Sequence, residues 1–443
     1  MKIKVFILVT ACLLLIISFY FFFHSRTFTE AKINLSLYVS PDGDDQNEGT
    51  KSSPLRTLNE AATRAKLGTT VFVRKGTYNE LLSIKHSGTA SKPITFTNYK
   101  NEKVIISGSH IQDLKEDTAL IKIENKDYIT IQGFTLEELA TTQDEPTVMG
   151  IYIAGSSSHI RLKQNHIHHI ETRADDGNAH GIAVYGTEGI KDIQILENIV
   201  ENLRLGASEA LVLNGNVEEF KIADNIVRKN NNIGIDLIGY EGIALQNDYV
   251  RNGVVENNIV DHNSSFGNPA YGNDYSAGGI YVDGGSNITI RNNKVHHNDI
   301  GIEATSEHFG KSASQIKITN NEVYNNMFTG ISLGAYDKKR GKTKNSTISQ
   351  NNIYGNDTKG LDGGQLLMQY NVANNRIEKN TVTASDSNIL LVNLHAKNTD
   401  NIFTKNIYKA NNKGKWIWNE EEFTDFPSYQ ETSNNDVDST FLQ

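Results

Sequence analysis

One short phrase returns through most of the chain: a strand of alternating apolar and polar residues, followed by Asn-x-Ile or Asn-x-Val. Nine asparagines carry it at intervals of about 26 to 35 residues: Asn165, Asn198, Asn225, Asn258, Asn293, Asn321, Asn352, Asn380 and Asn406. A self-similar period in this range is typical of stacked supersecondary units rather than of a closed globule. An asparagine at a corner can bond to the backbone and to its counterpart one coil away. The repeat therefore predicts an all-β solenoid with an asparagine ladder.

Each repeat carries a second strand phrase, of the form Gly-Ile-x-Val-x. Because side chains alternate between the faces of a strand, positions two and four point into the core and positions three and five point outward. The inward column at position two reads Ile182, Leu211, Ile235, Ile280, Ile302, Ile331 and Leu366. We expect these side chains to stack on one another along the solenoid.

The bulk composition limits the partners of the chain. A solenoid of 443 residues forms one continuous domain. The formal net charge of -9 and a pI near 5.8 argue against a nucleic-acid partner. The only cysteine, Cys12, has no second cysteine with which to form a disulfide in the chain. We expect a monomer that does not bind nucleic acid.

The N-terminal residues 1–31 read as a signal peptide or a membrane anchor. Lys2 and Lys4 precede an uncharged apolar run over 5–23, which as a helix is about long enough to cross a membrane. A lipoprotein signal at Cys12 is a third alternative, but the apolar run continues well past that cysteine. All three alternatives predict an extracellular or cell-surface protein whose N-terminal segment is membrane-associated, either before cleavage or permanently.

Residues 32–92 read as an N-terminal cap with the first strands. Residues 57–66 have the pattern of an amphipathic helix, with Thr57 at the N-cap and Glu60 completing a capping box. Such a helix would cover an apolar end of the solenoid that could otherwise pair with another sheet edge.

The solenoid itself is predicted over 93–408, and the pattern stops after it. Residues 409–443 contain Trp416 and Trp418 among other aromatic residues. We interpret this segment as the cap of the last coil, with sugar stacking by the tryptophans as the alternative.

Several phrases resemble secreted bacterial carbohydrate-active proteins of the pectate-lyase-like superfamily. They are Tyr38-Val-Ser-Pro-Asp-Gly, Arg74-Lys-Gly-Thr-Tyr78, Gly234-Ile-Asp236, Ala277-Gly-Gly-Ile-Tyr-Val-Asp283 and Gly301-Ile-Glu-Ala-Thr-Ser-Glu-His308. The resemblance implies a single-domain right-handed parallel β-helix with an N-terminal capping helix. It also implies an enzyme that degrades or modifies a polysaccharide.

One patch of the outward positions differs chemically from the rest. Position three reads Ala183, Val212, Asp236, Tyr281, Glu303, Ser332 and Leu367 in successive coils. Asp283 stands at position five beside the tyrosine. Neighbouring strands lie about 4.8 Å apart, so Asp236 and Glu303 should be roughly 10 Å apart with Tyr281 between them. Stacked like charges repel unless a cation or a catalytic role compensates. We therefore predict that these four residues are catalytic, the alternative being ordinary solvated polar positions.

The loops around this patch would wall a groove for a polysaccharide. Their polar and aromatic residues, together with outward strand positions, supply the predicted substrate-binding side chains: His180, Tyr185, Glu209, Asn214, Tyr271 and Tyr336.

The resemblance implies a calcium-dependent lyase that acts on an acidic, uronate-containing glycan. Asp236, Asp283 and Glu303 are then the candidate Ca²⁺ ligands, since Ca²⁺ prefers oxygen ligands. A lyase also needs a base for the C5 proton, and neither outward column contains Lys or Arg. Arg251 and His308 are the substitutes that we consider, besides Tyr281 and His180.

Two other functions remain open at the level of sequence. An inverting glycoside hydrolase places its two carboxyl groups about 6.5–9.5 Å apart, a range near the predicted separation of Asp236 and Glu303. A surface polysaccharide-binding solenoid without turnover would use the same groove.

Overall fold

The computed structural model describes residues 35–443 except 113 and 412. The predicted signal or anchor over 1–31 lies outside these residues. Among the helices of the described part, none has the length and apolar character needed to cross a membrane.

The described chain is a right-handed parallel β-helix, as predicted. Each coil passes through three parallel sheets, which we call sheets 1, 2 and 3 in the order that the chain visits them. Two long strands, Ala179–Leu196 and Leu211–Ala223, bend around the corner between sheets 1 and 2 and belong to both.

Sheet 1 carries the Gly-Ile-x-Val phrases. Besides the first parts of the two long strands it comprises Leu82–Ser83, Thr118–Glu124, Val148–Ala154, Ile235–Ile238, Gly278–Asp283, Ile300–Thr305, Thr329–Leu333, Leu366–Met368, Ile389–Asn393 and Lys415–Trp418. Its register pairs Ile182 with Leu211 and continues through the predicted inward column to Leu366. This column is confirmed.

Sheet 2 holds the strands that precede the ladder asparagines. Besides the second parts of the long strands it comprises Ser36–Val39, Thr70–Val73, Ile94–Asn98, Asp127–Gln132, Ser158–Lys163, Arg251–Glu256, Ser286–Arg291, Ala313–Ser314, Lys317–Thr319, Thr343–Lys344, Thr347–Ser349, Val372–Ala373, Arg376–Glu378 and Ile402–Thr404.

Sheet 3 follows the ladder asparagines and has 13 strands. They are Gly76–Tyr78, Val104–Ser107, Thr135–Thr141, His166–Thr172, Ile199–Glu201, Ile226–Arg228, Ile259–Asp261, Lys294–His296, Glu322–Tyr324, Asn352–Tyr354, Thr381–Thr383, Ile407–Lys409 and Thr440–Leu442. The apolar side chains of the three sheets meet in one core that runs from Leu37 to Tyr429.

The asparagine ladder stands at the corner between sheets 2 and 3. Asn258 shows its geometry: its Oδ1 accepts from the Asn225 backbone N–H at 2.9 Å, and its Nδ2 donates to Asn293 Oδ1 at 3.0 Å. The residue before each ladder asparagine takes the left-handed conformation, as Asp224 does with φ 58. One predicted member is wrong by one residue, because Asn351 and not Asn352 bonds to Asn321 and Asn380. Asn352 begins the next strand of sheet 3.

A second asparagine ladder, which the sequence analysis did not anticipate, stands at the far end of sheet 3. Its members are Asn230, Asn263, Asn298, Asn326 and Asn356, and Gln365 closes it. Each of these asparagines lies five residues after a member of the first ladder.

The two ends of the solenoid are covered. Helix α1, Leu58–Arg64, has the predicted N-cap, since Thr57 Oγ1 accepts from the Glu60 N–H. The capping box does not form, because the Thr57 N–H donates to Asp45 and the Glu60 carboxylate pairs with Arg64. A short 3₁₀ turn, Tyr99–Asn101, follows the third strand of sheet 2.

At the C-terminal end, the chain turns back on itself instead of forming another coil. Strand Glu421–Phe423 pairs antiparallel with Lys415–Trp418, and helix α2, Phe426–Ser433, follows. Trp416 is fully buried against Phe426 and Tyr429. Because Trp416 is fully buried, neither face of its ring is available to stack on a sugar.

Candidate active site

The chemically distinct column on sheet 1 has the predicted order. Asp236 pairs with Tyr281, and Tyr281 pairs with Glu303, on three successive strands. On the neighbouring strands, the uncharged residues Val212 and Ser332 flank this column on either side. Asp236, Tyr281 and Glu303 are each at most 8% exposed, so these polar groups are not ordinary solvated side chains.

Position five departs from the predicted column. Ile238 bridges to Gly284 in an antiparallel sense, because the chain leaves sheet 1 after Ile238. Asp283 therefore pairs only with Thr305. Its Oδ1 accepts from the Glu307 backbone N–H at 2.9 Å, which fixes the start of the loop after Thr305.

Tyr281 organises the centre of the site. Its hydroxyl lies 2.8 Å from Thr305 Oγ1 and donates to Glu307 Oε1 at 2.9 Å. Burial, together with the Asp283 and Glu303 carboxylates, raises the pKa of Tyr281 well above its ordinary value. The phenol is therefore a hydrogen-bond donor near neutral pH and a poor candidate for the base.

Glu303 has polar partners on the side away from Tyr281. Its Oε1 accepts from Gln369 Nε2 at 2.7 Å and from Ser332 Oγ at 3.3 Å. Burial raises the pKa of Glu303 to about 7, although these two hydrogen bonds act in the opposite direction. A carboxyl group with such a pKa can give or take a proton near neutral pH.

Asp236 is the least compensated group of the site. It is 2% exposed, and its Oδ1 has no hydrogen-bond partner. Burial, and then the nearby Glu209 and Asp283 carboxylates, raise the pKa of Asp236 well above its ordinary value. Burial and the charge of Glu241 likewise raise the pKa of Glu209 to about 8.

These carboxyl groups form an acidic groove, which we define by Glu209, Asp236, Glu241, Asp283, Glu303 and Glu307. In the described part of the chain, none of the six makes an ion pair with Lys or Arg, and the imidazole of His180 lies 3.7 Å from Glu209. Desolvation and mutual repulsion both disfavour ionisation here, so the groove requires protons or a bound cation.

His180 connects the Glu209 backbone to Tyr185 by hydrogen bonds. His180 Nδ1 bonds to the Glu209 carbonyl at 2.9 Å and Nε2 to the Tyr185 hydroxyl at 3.0 Å. Burial lowers the pKa of His180 to about 4. Because both ring nitrogens are occupied, His180 positions its neighbours and is not free to act as a base.

Two more predicted substrate-binding residues lie at the groove. Asn214 Nδ2 donates to Glu241 at 2.7 Å, while its own Oδ1 is buried without a partner. The Tyr271 hydroxyl donates to the Ala207 carbonyl at 3.3 Å, which holds the long loop before Ala277 over the preceding coils.

The structure separates Arg251 from the acidic residues, whereas the Tyr336 backbone N–H bonds to the Ser306 carbonyl next to Glu307 and its ring faces solvent. Arg251 lies on sheet 2, where its guanidinium pairs with Glu218 and Asn216. Its predicted role as the base is therefore wrong, since the residue lies on sheet 2 and its guanidinium is engaged there, whereas the acidic column stands on sheet 1. Tyr336 is 55% exposed and stacks with Arg340, with 3.9 Å between the ring centroid and Cζ.

Two groove residues, and a lysine in the loop after Thr305, were not among the predicted site residues. Glu241 and Glu307 come from loops that leave sheet 1, and Lys311 Nζ lies 4.6 Å from the centroid of the Tyr240 ring beside Glu241. The alternation Glu303, Thr305, Glu307 could have identified Glu307, because it extends the outward face past the strand end. Lys311 follows no such period. His308 lies in the same loop, and its imidazole has no hydrogen-bond partner within the described residues.

Comparisons with known proteins agree with the fold. The family model described as "Pel9A-like, right handed beta helix region" matches residues 37–198, and the one described as "Right handed beta helix region" matches 278–425. The Bacillus subtilis (strain 168) protein YwoF, described as uncharacterized, is 57% identical over 407 residues, which are 91% of this chain and 87% of that protein. The chain belongs to the family of right-handed β-helix proteins that includes YwoF.

Two further similarities cover less of the chain or are more distant. The pectate lyase PEL9 of Emericella nidulans is 32% identical over 146 residues, so the chain spans only 34% of its length. A crystal structure of a lacto-N-biosidase from Eubacterium ramulus matches with a TM-score of 0.55 and 13% identity, over 92% of this chain and 66% of that one. At this identity the match shows a shared fold.

A hard divalent cation fits part of the groove by donor type. The buried Oδ1 atoms of Asp236 and Asn214 lack partners, and both are oxygen donors of the kind that Ca²⁺ prefers. The predicted Ca²⁺ ligands Asp236, Asp283 and Glu303 do not bring three carboxylate oxygens within 4.8 Å of one another. Within the described residues, only Asp261, His262 and His296 bring three candidate ligand atoms within 4.8 Å of one another. Tyr281 separates Asp236 from Glu303 and prevents the trio from forming one site.

Proposed function

We propose that this protein is an exported enzyme that acts on an acidic, uronate-containing polysaccharide, with β-elimination as its reaction. The observation that carries the proposal is the buried, unpartnered Asp236 in a groove of six carboxyl groups without Lys or Arg ion pairs. Such a groove repels an acidic polymer unless a cation lies between them. The sequence similarity to a pectate lyase over part of the chain supports the same class of substrate.

Asp236, Asn214 and Glu241 are the residues that would hold a Ca²⁺ ion. Bound there, the ion would neutralise the groove and the uronate carboxylate, which makes the C5 proton of the sugar more acidic. The chain would supply the remaining parts of the site. Tyr281 and Gln369 orient Glu307 and Glu303 respectively, and the loop that contains Tyr271 covers the groove.

Elimination requires one base and one acid from the chain. The base takes the C5 proton, the C4–O bond breaks, a C4–C5 double bond forms, and the leaving oxygen receives a proton. Glu303 with its pKa of about 7 is suited to the acid. His308 and Lys311, which lie in the loop after Thr305, are the candidates for the base.

A glycoside hydrolase is the second candidate. Asp236 and Glu303 stand two strand spacings apart, which is roughly 10 Å and close to the separation in inverting enzymes. The raised pKa of Glu303 would serve a hydrolase equally well, as the general acid.

Product chemistry decides between these functions. Purified protein incubated with uronate polymers should release unsaturated products, detected by their ultraviolet absorbance, and EDTA should abolish the signal. New reducing ends without that absorbance would contradict the lyase and establish the hydrolase. No product from any glycan, together with saturable polymer binding, would show a binding module.

Substitutions then test the site. Asp236→Asn should lower the rate at least ~100-fold, because it removes the charge that the cation needs. Asp224→Asn is the matched control, since Asp224 is an exposed corner residue on sheet 2. Equal rates for Asp236→Asn and the wild type would place the chemistry elsewhere.

A further inference from the structure

A group of metal-ligating side chains lies on sheet 3, away from the acidic groove of sheet 1. Asp261 ends the strand Ile259–Asp261, and His262 follows it directly. One coil further on, His296 ends the strand Lys294–His296, and the register pairs it with Asp261. Two neighbouring coils therefore contribute to one cluster.

The ligand atoms of this cluster converge. One atom from each of Asp261, His262 and His296 lies within 4.8 Å of the other two, and no other such group occurs in the described chain. His262 Nδ1 lies 2.5 Å from Asp261 Oδ1. His297 extends the cluster: its Nδ1 lies 2.9 Å from His296 Nδ1, and its ring stacks on that of His262 at 4.8 Å between centroids.

Asp261 has no permanent positive partner. The residue is 7% exposed, and among the described residues its side chain hydrogen-bonds to His262 alone. The register places Arg228 beside it on the preceding coil, but that guanidinium is bonded to Glu201 at 2.7 Å. A buried carboxylate whose neighbouring arginine is engaged elsewhere, and which lies against imidazole nitrogens, is a favourable position for a cation.

A second histidine cluster on sheet 3 provides a comparison. His166 and His168 each pair with their own glutamate, Glu201 at 2.9 Å and Glu137 at 3.1 Å. That cluster does not bring three ligand atoms together. The convergence at Asp261 is therefore not a general consequence of histidines on this sheet.

We propose that Asp261, His262 and His296 bind one divalent transition-metal ion of the Zn²⁺ class, with His297 as a further neighbour. Two imidazole nitrogens and a carboxylate oxygen match the ligands of Zn²⁺, whereas Ca²⁺ requires mostly oxygen. The ion links two consecutive coils. It therefore stabilises the folded chain by an amount that rises with the logarithm of the free ion concentration once this exceeds the Kd.

The test is calorimetric titration of the EDTA-treated, desalted full chain, without an affinity tag of histidines, with ZnCl₂. We expect one saturable event that excess CaCl₂ does not compete away, a rise in Tm with Zn²⁺, and a visible absorption band on substitution with Co²⁺. His296→Gln and the isosteric Asp261→Asn should each weaken Zn²⁺ binding at least ~10-fold. His168→Gln and Asp236→Asn should leave it unchanged.

Circular dichroism establishes that each variant retains its β-structure. If one of the two ligand variants, His296→Gln or Asp261→Asn, does not fold, the other provides the test. The proposal is overturned by the absence of a saturable event or by equal affinity in the wild type and a folded ligand variant. It is also overturned if Asp236→Asn abolishes the event, because the ion would then lie in the acidic groove.

Discussion

At the scale of single residues, Asp236 and its neighbours determine how the protein responds to pH. Burial raises the pKa values of Asp236, Asp283, Glu303 and Glu209, so the folded state holds more protons than the unfolded state above about pH 4. At low pH these groups are protonated in both states and do not lower the unfolding free energy. Stability is lost as pH rises toward the raised pKa values.

We expect the Tm of the protein in EDTA to fall as pH rises from about 5 to about 8, the upper limit being set by the pKa values of Glu303 and Glu209. Asp236→Asn should flatten this fall, because the amide does not ionise, and saturating Ca²⁺ should also reduce it. Differential scanning calorimetry measures each curve. Asp224→Asn should follow the wild type, and a Tm that rises over this interval would contradict the assignment.

The ladder asparagines make a second prediction at this scale. Asn258→Ala removes an acceptor from Asn225 and donors to Ile222 and Asn293, all of them buried. We expect a loss of about 3 kcal/mol or more in unfolding free energy, since buried groups lose their partners. Urea denaturation provides the measurement. Asn273→Ala, at an exposed position, should change the unfolding free energy by less than about 0.5 kcal/mol.

The outward column of sheet 1 could be predicted because strand alternation determines where each side chain points. Arg251 could not be placed, since the length of the loop before it obscures the sheet to which it belongs. Lys311 and Glu241 lie on loops, whose path depends on tertiary contacts that have no sequence period. The second ladder was predictable in principle, because Asn230 and its counterparts repeat at a fixed offset from the first.

At the scale of elements, one side chain, Asp299, binds both ends of the loop over residues 264–277. Buried Asp299 accepts from Ser264 Oγ at 2.6 Å, from the Ser265 N–H at 2.8 Å and from the Ala277 N–H at 3.0 Å. The carboxylate therefore binds both ends of the loop that carries Tyr271. The longer sequence period indicated an insertion here but not this attachment.

Asp299→Ala should release the loop while the coils remain intact. Hydrogen exchange of residues 264–277 should accelerate at least ~10-fold, because the hydrogen bonds of the carboxylate to both loop ends are lost. Mass spectrometry of peptides gives the rates. Asp274→Ala, in the exposed part of the same loop, should leave them unchanged, and uniform acceleration over all coils would indicate global destabilisation instead.

At the scale of the whole molecule, a solenoid has two ends that need cover. The C-terminal cover depends on buried Asp436, which accepts from the hydroxyls of Tyr408 and Tyr429 at 2.9 and 3.0 Å and from Asn406 Nδ2 at 3.0 Å. It thus joins helix α2 to the last ladder asparagine.

Asp436→Ala should detach this cover and expose the end of the core. We expect a loss of about 3 kcal/mol in stability and concentration-dependent association, because an uncovered sheet end recruits other chains. Urea denaturation measures the loss of stability, and light scattering measures the association. The exposed Asp386→Ala serves as control, and an Asp436→Ala variant that stays monomeric would show that the cover does not prevent association.

The first asparagine ladder makes each coil an interchangeable module. Every ladder asparagine meets its neighbours through the same amide contacts, so Asn321 is equipped to receive Asn380 as well as Asn351. Excision of the 29 residues from 351 to 379 would preserve both the amide sequence of the first ladder and the three-sheet register. The length of this fold can therefore change by whole coils during evolution or design without repacking the core, whereas a deletion of half a coil would break every column at once.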